Sequence, residues 1–98
     1  MINYITHEIT LSGSHDDIFV FVNAPENTSE AELEQIAIDE VTQNTEIASS
    51  SFNNSCYNVV LSGDHPDIFV LVPGHQTMNR DELLKHAIKE AFSNSYIN

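Results

Sequence analysis

Ninety-eight residues, 41% of them apolar, with 15 acids against three bases and a net charge of −12, describe one small domain with a modest core. That apolar content excludes a disordered tail. No apolar run approaches the ~20 residues of a membrane span, and the charge argues against direct nucleic-acid binding, which needs basic patches for phosphate. The opening MINYITHEIT has no basic stretch followed by an apolar block, so no signal peptide is expected. Cys56 is the only cysteine, so an intrachain disulfide is impossible. A cytoplasmic location is the expectation.

In chain order, Ile5, Ile9 and Leu11 alternate with Thr6, Glu8 and Thr10, the pattern of a half-buried strand. SGSHDD reads as a polar turn and IFVFV as a second strand. NAPENT breaks that strand. Ser29, followed by Glu32, then starts a helix as a capping box. Leu33, Ile36, Ala37 and Val41 form its apolar stripe. ASSSFNNSCYN reads as a polar, turn-rich linker. The same series then recurs, with Asn79 and Glu82 at the helix start and Leu83, Leu84, Ala87, Ile88 and Ala91 as the stripe.

The recurrence is an internal duplication. Residues 1–48 align with 51–98 without gaps, and 17 of the 48 positions are identical. Nine of those lie in LSGSHDDIFVFV (residues 11–22) and LSGDHPDIFVLV (residues 61–72). The expected fold is α+β: a single domain, 1–98, of two ββα repeats, 1–48 and 51–98. They are expected to form a pseudo-twofold, four-stranded antiparallel sheet with two helices.

Both sides of the second strands are apolar. Ile18, Val20 and Val22 with Ile68, Val70 and Val72 lie on one side, and Phe19, Phe21, Phe69 and Leu71 on the other. A sheet with one wet face alternates, and these strands do not. If both helices share a face, Phe19, Phe21, Phe69 and Leu71 form a patch that a homodimer or another partner must cover.

Within the repeated phrase, Ser12-Gly13-x-His15-x-Asp17 recurs as Ser62-Gly63-x-His65-x-Asp67. Turn chemistry explains Gly, Ser and Asp but does not require the two histidines. A His15/Asp17/His65/Asp67 metal module, with Cys56, His7 and His75 as possible further ligands, is one alternative, although no tight ligand motif is present. Partner recognition and a response to pH are others. No cofactor or resident metal is expected. Catalysis has little support either: Ser14, His15 and Asp16 are sequence neighbours rather than a spatial triad. Cys56 has no base beside it in sequence, and no phosphate-cradling glycine loop occurs.

Charge is divided unequally. Residues 1–50 hold ten acids and no Lys or Arg, whereas residues 51–98 hold five acids and three bases. The first helix carries only acids, and the second mixes Arg80, Lys85 and Lys89 with its acids. An acidic stripe suits a basic protein surface of the kind that handles nucleic acid. Glu30, Glu34, Asp39 and Glu40 are the candidate contacts. In size, charge and scarcity of cysteine the chain is similar to small acidic inhibitors made by phages and mobile elements, such as anti-CRISPR and antirestriction proteins. That resemblance implies a non-enzymatic inhibitor blocking a basic nucleic-acid-binding surface, and it covers no specific residue. Residues 68–92, IFVLVPGHQTMNRDELLKHAIKEAF, resemble the strand–loop–helix of HicB-type antitoxins. The Gly-Cys and Gly-Asp-Thr elements before the helix are missing, so no site residue carries over. A structural homo-oligomer using the Phe19 face is the reading from a different class.

Overall fold

β-branched and aromatic residues at alternating positions build long hairpins, and each hairpin is followed by a capped amphipathic helix. The computed structural model describes residues 2–98. In order these form β1 (Tyr4–Gly13), β2 (His15–Pro25), α1 (Glu30–Gln43), β3 (Glu46–Asn53), β4 (Cys56–Gly63), β5 (His65–Pro73), α2 (Arg80–Phe92) and β6 (Tyr96–Ile97). The class is α+β with two helices, and the duplicated ββα pattern is visible. The four-stranded single sheet is corrected: six strands form two three-stranded antiparallel sheets, ordered β2-β1-β6 and β3-β4-β5.

The two additional strands were hidden for identifiable reasons. β3 reads EIASSSFN, so only Ile47, Ala48 and Phe52 are apolar, and its serine run looks like linker. Backbone pairing with β4 rather than side-chain pattern makes it a strand. The hairpin closes through Asn54 (φ 51°) and Ser55 (φ 65°), the two positive angles of a primed two-residue turn. β6 is two residues long and carries no period. The segment SGSHDD is mostly strand as well. Only Ser14 separates β1 from β2, with a bulge between Leu11 and Gly13.

The helix starts match the sequence. The Ser29 hydroxyl accepts the Glu32 N–H at 3.2 Å, and the Asn79 side chain accepts the Glu82 N–H at 2.8 Å. Caps of this kind contribute about 1 kcal/mol each. α1 buries Ala37 and Val41, and α2 buries Leu83, Ala87, Ala91 and Phe92. They pack against β2 and β5 respectively. Leu11, Ile18, Leu61, Val59 and Val72 are the largest fully buried side chains, inside one core shared by both repeats. Each such burial stabilises the fold by about 1.5–3 kcal/mol.

The two repeats exchange strands. β3, which leaves the first repeat's helix, pairs with β4 of the second repeat. β6, which leaves the second repeat's helix, pairs with β1 of the first. Neither repeat completes its own sheet, and the resulting body is elongated, 55 × 21 × 19 Å. Among the described residues no helix is long and apolar enough to cross a membrane.

Candidate functional site

Strand exchange forces each hairpin tip against the end of the other repeat's helix, and the repeated phrase lies at this meeting. A Cβ on Gly13 would stand 3.0 Å from the Asn94 carbonyl oxygen, and one on Gly63 would stand 2.7 Å from that of Asn44. Only glycine lets the backbones approach this closely. His15 Nε2 lies 2.7 Å from Ser95 Oγ, and His65 Nε2 lies 3.0 Å from Thr45 Oγ1. In each ring Nδ1–H donates to the next residue's carbonyl, Asp16 O or Pro66 O, at 2.8 Å. Both rings also approach one Phe92 side chain, with centroids 5.4 Å and 6.0 Å away. The Thr45 hydroxyl further donates to Val41 O at 2.8 Å. Asp17 accepts the Ser12 hydroxyl at 2.9 Å. Among the described residues no buried side-chain polar atom lacks a partner.

These contacts occupy both nitrogens of His15 and of His65 within the protein. His7 Nε2 is 3.2 Å from Pro25 O, His75 Nδ1 is 2.7 Å from Thr77 Oγ1, and Cys56 lies on β4 opposite Asn53. Among the described residues no three His, Cys, Asp or Glu side chains converge as metal ligands would.

The uncovered sheet faces are a different surface. Ile18 and Val22, with Ile68 and Val72, are buried on the helix side of their strands, where Val20 and Val70 are half-buried. Phe19, Phe21, Phe69 and Leu71 point the other way and are 73, 68, 79 and 63% exposed. Register places Phe19 opposite Thr10 and Phe21 opposite Glu8, and in the other sheet Phe69 opposite Val60 and Leu71 opposite Asn58. An open groove of about 500 Å3 is lined by Thr42 and Gln43 at the end of α1 and by Asp81, Leu84, Lys85 and Ile88 of α2. Neither helix covers the four exposed side chains.

The acidic candidates divide. Glu30, Asp39 and Glu40 are exposed, whereas Glu34 is half-buried and accepts the Ile97 N–H at 3.4 Å. At about 100° per residue, Glu34 and Glu40 stand about 120° apart around the helix axis. Asp39 also accepts Gln35 Nε2–H at 2.9 Å. Glu34 therefore ties β6 down, and the other three face solvent.

Sequence reasoning missed the partners of the repeated phrase, Asn44 and Thr45 with Asn94 and Ser95. A signal was present: Asn44/Asn94 and Ile47/Ile97 are identical pairs outside the phrase. It also missed an open strand edge. β6 covers only Leu11 and Ser12 of β1, whereas β3 runs the length of β4. Comparison of the chain with family models, with curated proteins and with solved structures finds no match.

Proposed function

We infer that the chain is a non-enzymatic protein-binding module, an acidic inhibitor that occupies a basic, nucleic-acid-binding surface of a partner protein. The observation that carries this reading is a solvent-facing acidic helix in a half-chain that has ten acids and no Lys or Arg. Glu30, Asp39 and Glu40 present carboxylates to solvent where Lys and Arg of the partner would otherwise meet phosphate. Glu34, engaged with Ile97, adds charge more than contact. Phage or mobile-element inhibitors of this composition are the natural class. The test is capture from host lysate with the tagged chain, at low and then high salt. A basic nucleic-acid-binding protein should be held at low salt and released at high salt, because exposed ion pairs are screened within ~10 Å at 0.1 M. The triple charge reversal Glu30→Lys, Asp39→Lys, Glu40→Lys should lose it while keeping the fold. Undiminished capture by the triple variant refutes the reading.

A second reading rests on its own observation. Four large apolar side chains, Phe19, Phe21, Phe69 and Leu71, stand in solvent, and monomers rarely leave such patches uncovered. In this reading a second copy covers them and charge serves solubility alone. Light scattering at high micromolar concentration decides it. A dimer that Phe19→Ser with Phe69→Ser dissociates supports self-association, and a monomer removes it.

A further inference from the structure

The exposed face of each long hairpin carries a shallow socket, and the two sockets occupy the same positions fifty residues apart. The first, of about 210 Å3, is lined by Glu8, Ile9, Thr10, Phe19, Val20 and Phe21. The second, of about 140 Å3, is lined by Asn58, Val59, Val60, Phe69, Val70 and Leu71. Four outward side chains stand at the corners of each. Register sets Thr10 opposite Phe19 and Glu8 opposite Phe21, and likewise Val60 opposite Phe69 and Asn58 opposite Leu71. All six residues of a socket belong to one hairpin, so its make-up does not depend on what lies beyond the hairpin's edge.

The corners differ in chemistry. The second socket is apolar apart from the Asn58 amide. The first has two phenyl rings, a hydroxyl and a carboxylate. Phe19 and Phe21 are two residues apart on one strand, about 7 Å along it. That is twice the ~3.5 Å of a contact between flat groups, so a planar group fits between the rings. Glu8 is exposed and directly opposite Phe21, so its side chain reaches the same socket. The three bases of the chain all lie on α2, which packs on β4 and β5 of the other sheet. The half-chain around Glu8 supplies no Lys or Arg to it.

We propose that this socket, Glu8, Thr10, Phe19 and Phe21, binds an arginine side chain of a partner protein, with the guanidinium between the two rings and bonded to the Glu8 carboxylate. Arg is planar, stays charged, stacks on aromatic faces and meets a carboxylate through paired N–H donors, whereas the Lys ammonium has no plane to insert. A second copy is a poor occupant. It offers one arginine, Arg80, whose Nη2–H already donates to Ile47 O at 2.7 Å, and it brings another −12. The inference rests on the reading of the chain as a binder of basic protein surfaces, and it adds a site on the sheet face to the carboxylates of α1.

The probe is the blocked peptide acetyl-Gly-Arg-Gly-amide, titrated into the full chain at constant ionic strength and followed by NMR of ring and methyl protons. The Phe19 and Phe21 rings should shift together and saturate, with a dissociation constant on the order of 10 mM for so small a contact. Phe69 and Leu71 should stay still. The citrulline peptide, planar but uncharged, and the Lys peptide, charged but not planar, should each bind more weakly. Glu8→Gln and Phe21→Leu should each weaken the Arg peptide roughly five- to tenfold. The triple variant Asn58→Glu, Val60→Thr, Leu71→Phe should give the second socket the same binding. Four results overturn the proposal: no saturable shift of the two rings, equal shifts in both sockets, an affinity unchanged by Glu8→Gln, or a second socket that stays inert in the triple variant. Concentration-dependent shifts of the Phe19 and Phe21 rings in the protein alone would assign the face to a second copy and also overturn it. The lysate experiment fails separately. Capture that survives the charge reversals on α1, with the peptide still in the socket, refutes the inhibitor reading and spares the socket.

Discussion

The two repeats make matching contacts where their hairpin tips meet and differ most in the charge of their helices. The tips share their main contacts, Gly13 on Asn94 and Gly63 on Asn44, His15 on Ser95 and His65 on Thr45, while Ser12–Asp17 and Asn44–Asp64 each occur at one tip only. The outer parts diverge. The charged residues of the first helix are all acids, and those of the second are mixed. Strand exchange sets each copy's hairpin tip against the chain that leaves the other copy's helix, so one kind of contact is made twice by different residues. The start of the twelve-residue phrase, Leu11–His15 and Leu61–His65, supplies those contacts, whereas Phe19 and Phe69, also identical within the phrase, are exposed.

The comparison can be broken at several depths. Leu11 and Leu61 occupy equivalent, fully buried positions, so Leu11→Ala and Leu61→Ala should each cost about 2–5 kcal/mol in chemical denaturation. A Leu11→Ala cost near zero would mean that the repeats do not share one core. At the tips, Gly63→Ala should cost about 1–3 kcal/mol and exceed Gly13→Ala, because its Cβ meets backbone at 2.7 Å rather than 3.0 Å. The reverse order of midpoints would show that the second tip relaxes more easily. Thr45→Val should cost about 1–3 kcal/mol, since it strips a hydroxyl shared by Val41 O and His65. Ser95→Ala, which removes a hydroxyl bonded to His15 alone, should cost less. Equal costs would imply that the Val41 bond adds nothing. The smallest effect separates the edges without changing the fold. Amides of Thr6 and Glu8 should exchange at least about tenfold faster than those of Asn58 and Val60, which β3 covers. Matched rates would show that the β1 edge is already protected.

Much of this architecture was legible. The alternation in residues 5–11, the capped helices and the buried faces of the second strands follow from local chemistry, and each is present in the fold. The exposed Phe19/Phe21 and Phe69/Leu71 pairs were legible as a conditional. The condition was one sheet with both helices on a single face; instead there are two sheets, α1 packs on β2 of one and α2 on β5 of the other, and the four side chains point away from them. β3 was not legible, because a serine-rich strand is defined by the neighbour that satisfies its backbone. Glu34 looked like its acidic neighbours, yet it bonds Ile97 from a strand 63 residues away in sequence.

By itself the sequence determined the duplication, the charge imbalance, the helices with their caps and the inward and outward faces of the hairpins. These depend on residue identity, period and near-neighbour hydrogen bonds. Only the tertiary structure decided which strand completes which sheet, why two histidines recur at the tips and which edge of β1 stays open. Those outcomes depend on backbone groups and on contacts between elements, from His65 with Thr45, 20 positions apart, to His15 with Ser95, 80 apart, and such pairing leaves no period to read.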